Sequence, residues 1–136
     1  MNSAIFKIAA QAMAAQSVRL NTVTSNLANA DSVAGTPENA YHARQPVFMT
    51  TEVDAGRGLN GVGVQQIAET GPEPQKQYMP GHPMADPDGY VYASNVNTVE
   101  EMVNMVSTAR SYQNMVEVMN TTKELMLRTL NMGSNS

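Results

Sequence analysis

Three groups of residues could in principle do chemistry. Gly56, Gly58 and Gly61 stand at G-x-G-x-x-G spacing, which cradles a pyrophosphate when a strand precedes it and a helix N-terminus follows. Here the run Val62-Gly63-Val64 follows, so the spacing is expected to mark a hairpin loop. Asp86, Asp88 and Gly89 begin like a calcium loop, but the later oxygen ligands and the bidentate glutamate are missing, so the Asp-Gly step is read as a turn. His82 nearby brings the possible ligands only to two or three, too few to close a coordination shell. His42 and His82 are the only histidines and cysteine is absent. Neither histidine belongs to a nucleophile, base and carboxylate arrangement, and both are expected on surface loops or strands. No catalytic, cofactor-binding or metal-ligating residue is expected, and no cofactor.

Charge narrows the partners. Eight basic residues against twelve acidic ones leave a net charge of −4, and the basic ones are scattered singly. Without a basic stripe to displace counterions, nucleic acid is excluded as a partner. No window approaches the roughly 18 apolar residues of a membrane span. Met1 to Lys7 lack the basic and continuous apolar regions of a signal peptide, so any export is expected to use a route that removes no signal peptide.

The elements follow from punctuation. All seven prolines and eight of the nine glycines lie between residues 35 and 89, which assigns helices to both ends. From about Ser3 to Ala30, Phe6, Ala9, Met13, Gln16, Leu20, Val23, Leu27 and Ala30 alternate spacings of three and four, with Gln16 the polar intruder. The C-terminal helix is expected to open on a capping box of Thr98 and Glu101. Met102, Met105, Ala109, Tyr112, Val116, Met119, Lys123, Met126 and Leu130 continue the repeat, with Lys123 the exception. Between the helices, strands are expected at Tyr41 to Asp54, with Pro46 marking an edge, at Val62 to Ala68, at Gln75 to Met79 and at Tyr90 to Ala93. The fold class is α+β: two long terminal helices packed as a coiled-coil-like inner domain, residues 1–36 and 96–136, with a small antiparallel β module, 37–95, inserted between them.

Composition points to assembly. Leu, Ile, Val and Phe make only 25 of the 136 residues, a borderline supply for a self-sufficient core, and no disulfide adds to it. In the first 37 residues only Lys7, Arg19 and Asp31 carry charge, whereas a solvent-facing helix normally shows a charged stripe. Neighbours on several sides of that helix are expected. Six of the eleven methionines fall in the last 35 residues, suited to packing against non-identical surfaces.

Two motifs then resemble a known family. Ser25-Asn26-Leu27-Ala28-Asn29-Ala30-Asp31 is similar to the motif that ends the first helix of bacterial flagellar axial proteins. Gly81 to Val91, Asn95-Val96, Glu101-Met102-Val103, Ala109 to Gln113 and Val118 to Thr121 resemble the C-terminal half of the flagellar basal-body rod proteins, at the proximal rod. The resemblance implies a non-enzymatic building block of the rod, the drive shaft that transmits motor torque to hook and filament. It implies export by the flagellar type III system and an inner helical domain lining the axial tube. Implied partners are other rod proteins, further copies, and at the proximal end the basal-body base with MS-ring and export-gate components.

The assembly interface is expected at Phe6, Met13, Leu20, Val23, Leu27, Met102, Met105, Ala109, Tyr112, Val116, Met119, Met126 and Leu130. Asn26 and Asn29 are expected as helix-end or inter-subunit hydrogen bonders. The alternative is a helix-dimerised β module that binds a cell-wall or carbohydrate ligand, disfavoured by the lack of tryptophan and only 5% aromatics.

Overall fold

The computed structural model describes residues 2–135. Helix α1 (Asn2–Ala28) is followed by β1 (Val33–Ala34), β2 (Arg44–Asp54), a 3-10 turn (Ala55–Arg57), β3 (Leu59–Glu69), β4 (Lys76–Tyr78), β5 (Tyr90–Ala93) and helix α2 (Thr98–Ser134). The 27 and 37 helical residues correspond to lengths of about 40 and 55 Å. The helices are antiparallel. Asn26 near the end of α1 bonds Glu101 at the start of α2, and Ser3 and Phe6 line a groove with Met126, Leu127 and Leu130 at the other end. With the junction ends level, the extra length of α2 runs past the start of α1.

The strands form two antiparallel sheets. β1, β5 and β4 make a small sheet in that order, and β2 pairs only with β3 in a long hairpin. A lone hairpin is marginal in water, and α1 supplies its support. The Asn26 amide donates to the Arg44 carbonyl at 2.8 Å, and the Thr51 hydroxyl to the Gln11 side chain at 2.9 Å. Arg44 to Thr51 spans roughly 23 Å of strand, and Asn26 back to Gln11 roughly 22 Å of helix. The hairpin therefore runs alongside α1. Close approach needs Gly61, where a Cβ would collide with the Gln11 amide oxygen.

Helix α1 thus lies between α2 and the hairpin, which scarcely touch each other. Its buried residues fall on two lines, Ala9 with Val23 and Ala15 with Thr22 and Asn26, whose faces stand about 100° apart at 3.6 residues per turn. The scarcity of charge on α1 has this cause: the chain itself covers two of its sides.

Several expected details differ. Residues 41–43 are not strand, because Asn95 engages the Ala43 amide and the Tyr41 carbonyl and the Thr70 amide takes the Ala43 carbonyl. The ladder is irregular between Val47 and Phe48 and between Glu52 and Asp54, so period two does not persist along β2. The N-cap of α2 is Asn97, whose side chain accepts from the Glu100 amide at 3.2 Å; Thr98 is already helical, and Glu101 turns to Asn26 instead of capping. Asparagine caps at least as well as threonine.

Candidate functional site: an outward apolar face

Among the described residues, no large apolar side chain is buried in the core. The buried hydrophobic residues are Ala9, Ala15, Val23, Ala34, Ala40, Ala43 and Val91, and the largest side chains under 2% exposure are Val91, Asn26 and Thr108. Close packing of small residues lets the elements approach, but each buried methyl contributes only about 0.8 kcal/mol. Many of the large apolar residues lie outside. Nine of those exposed are on α2: Val99, Met102, Val103, Val106, Val118, Leu125, Leu127, Leu130 and Met132.

The seam between the helices explains which residues of α2 turn outward. Glu101, Met105, Thr108, Tyr112, Met115, Met119, Thr122 and Met126 are buried or half-buried at spacings of three and four. The expected line shares Met105, Tyr112, Met119 and Met126 with it, and elsewhere runs one residue late, through Met102, Ala109, Val116 and Lys123. Threonine looks polar in a pattern of apolar residues. In the helix, though, the Thr108 hydroxyl donates to Asn104 O at 2.6 Å and that of Thr122 to Val118 O at 2.8 Å, so both can be buried with their hydrogen bonds satisfied. Lys123 is no exception once the seam passes through Thr122.

The proposed interface residues consequently separate. Val23 is buried; Met13, Leu20, Leu27, Met105, Ala109, Tyr112, Val116, Met119 and Met126 are half-buried; Phe6, Met102 and Leu130 are exposed at 38%, 55% and 67%. Two exposed regions stand at opposite ends of α2. Val99, Met102, Val103 and Val106 form an open apolar face bordered by Ser107, Arg110 and Ser111. Ser3, Phe6, Lys123, Met126, Leu127 and Leu130 border a groove of about 430 Å³. The four-three spacing of Val99, Val103 and Val106 is present in the sequence, but the expected line passes through the methionines instead.

Asn26 lies in the last turns of α1. It is 1% exposed and its hydrogen bonds lie within the chain: Oδ1 accepts from the Tyr41 hydroxyl at 2.8 Å and the Arg44 amide at 3.0 Å, while Nδ2 donates to Arg44 O and to Glu101 Oε2. Asn29 donates to Ser25 O at 2.9 Å, closing the last turn of its own helix.

The other candidate motifs perform local structural work. Gly58 ends the 3-10 turn at φ 64°, and Gly61 lies against α1. Asp86 Oδ1 accepts from the Asp88 and Tyr90 amides, the geometry of a turn. His82 Nδ1 accepts from the Met84 amide and His42 Nδ1 lies 2.9 Å from Ala40 O. Among the described residues no three His, Asp or Glu side chains come together as metal ligands, and no helix is long and apolar enough to cross a membrane.

Comparison with known proteins bears on the whole chain. Residues 6–35 match the family model of flagella basal body rod proteins, and residues 88–132 match that of the flagellar basal body rod FlgEFG protein C-terminal region. The flagellar basal-body rod protein FlgC of Salmonella typhimurium is 50% identical over 131 residues, covering 95% of this chain and 96% of the relative. FlgC of Yersinia enterocolitica is 49% identical over 129 residues, with 95% and 96% covered. FlgC of Agrobacterium fabrum is 35% identical over 130 residues, with 96% and 94% covered.

Proposed function

The chain belongs to the flagellar basal-body rod proteins of the FlgC kind, and from that premise we propose that it joins the rod chiefly through the outward apolar face of α2. It is a structural subunit of the bacterial flagellar basal-body rod, a part of the motility apparatus and not an enzyme. The carbohydrate-binding alternative finds no support, since rod proteins match 95% of the chain.

The observation that carries the proposal is the inverted distribution of apolar residues: Val91 is among the largest side chains fully buried, while nine large apolar residues of α2 face outward. Covering that face would release about 25 cal/mol for each Å² of apolar surface removed from water, offset by the ordering that association costs. The neighbours are copies of this chain and other rod subunits, whose non-identical surfaces suit the methionines at 102, 105, 115, 119, 126 and 132. Residues 1–36 and 96–136 form the assembling inner part and 37–95 the outer part. Likeness to the rod proteins alone carries the finer placement: export by the flagellar type III system without signal cleavage, contact with the basal-body base, MS-ring and export-gate components, and torque transmission.

Analytical ultracentrifugation of the purified chain, alone and mixed with the other rod subunits, tests the proposal. Concentration-dependent or partner-dependent assembly is expected. A monomer at every concentration and in every mixture would refute the α2 interface.

A further inference from the structure

We propose that Asn26 and Asn95 are the two prongs of a clamp on residues 41–44 that makes the helical hairpin and the small β1–β5–β4 sheet one rigid body. Asn26 comes from the last turns of α1 and grips this segment through the Tyr41 hydroxyl and both backbone groups of Arg44, while also holding Glu101 of α2. Asn95 comes from the connection between β5 and α2. Its Oδ1 accepts from the Ala43 amide at 2.5 Å, its Nδ2 donates to Thr70 O and Pro72 O at 2.9 and 2.7 Å, and its own amide donates to Tyr41 O.

Each asparagine therefore donates two hydrogen bonds through Nδ2 while its Oδ1 accepts, a combination that a carboxamide supplies and a hydroxyl or carboxylate does not. Gly71, between the two carbonyls that Asn95 holds, has φ 92°, and a Cβ there would stand 3.0 Å from Asn95 Nδ2. The backbone is shaped around this side chain. Because three separate chain crossings meet at the clamp, a displacement of the small sheet is passed to α1 and α2 instead of being absorbed at a hinge. On the rod assignment, this lets a load on the outer part reach the assembling helices.

The absence of cysteine makes a direct test simple. Nitroxide labels on cysteines introduced at Gln77 in β4 and Gln113 in α2, both exposed, report the distance between sheet and helix by pulsed electron spin resonance in the full chain. The otherwise wild-type chain is expected to give a single narrow distance. Asn95→Ala and Asn26→Ala are each expected to lose it to a broad distribution. Asn95 lies outside both helices, so the helical circular dichroism of Asn95→Ala should be unchanged, which separates loss of the clamp from loss of fold. A broad distribution in the otherwise wild-type chain, or a narrow one retained in Asn95→Ala, would overturn the clamp. The measurement involves no rod, so its failure would leave the rod assignment standing.

Discussion

Helices α1 and α2 both carry apolar residues at alternating spacings of three and four, yet they use them in opposite ways. α1 is covered on one side by α2 and on another by the β2–β3 hairpin, and only Ile5 and Phe6 among its large apolar side chains are exposed. α2 packs along a single seam and presents nine. An amphipathic helix in a self-sufficient domain turns its apolar side inward and a charged one outward. α2 has apolar residues on both sides. The contrast teaches that a scarcity of charge and an excess of exposed apolar surface are different signals: the first, on α1, comes from neighbours within the chain, and the second, on α2, calls for neighbours outside it.

Substitutions test that contrast. The largest expected effect is at Val23 of α1, 4% exposed. Val23→Asp buries an unpaired carboxylate and should cost about 3 kcal/mol or more, enough to lower the thermal melting transition sharply in circular dichroism; an unchanged transition would show that α1 is not held from within. Gln16→Leu acts in the opposite direction. Gln16 Oε1 is buried without a hydrogen-bond partner, and replacing it with an apolar group should raise stability by about 1–2 kcal/mol in urea unfolding. A loss of stability would place an undetected donor beside it. Gly61→Ala should cost about 1 kcal/mol by displacing Gln11 and its bond to Thr51. Because the colliding atom is the tip of Gln11, the substitution should cost less in a Gln11→Ala background, and equal costs in both backgrounds would remove the hairpin from α1. The smallest effect is expected in the turn Ala55–Arg57. All three residues are exposed, and the Arg57–Asp54 ion pair at 3.7 Å is half-solvated. Replacing them with Gly and Ser should change stability by less than about 0.5 kcal/mol, and motility in a complemented strain should persist.

The parts of the fold that could be read in advance were those with local causes. The concentration of proline and glycine in the middle placed both helices to within a few residues, and β5 falls at Tyr90–Ala93 because Asp86 to Gly89 end the preceding turn. Tertiary causes were less accessible. The two residues of β1 are strand only because β5 lies beside them. Thr108 and Thr122 enter the helix seam because their hydroxyls find carbonyls one turn back, which a pattern of apolar letters does not record. Asn95 resembles any turn asparagine until Ala43, Thr70 and Pro72 are brought around it. The outward valines of α2 were visible in their spacing, but only the packed seam tells which of two neighbouring lines faces α1.

The same substitution on the other helix tests the α2 face directly. Val103 of α2 is 63% exposed, so Val103→Asp leaves its carboxylate in water when the chain is alone and buries it when the face is covered. Its effect should appear in assembly and not in folding. Circular dichroism should show wild-type helix content and melting for Val103→Asp, while ultracentrifugation with the other rod subunits shows no incorporation. Incorporation equal to wild type would contradict the assignment of the α2 face as the assembly surface.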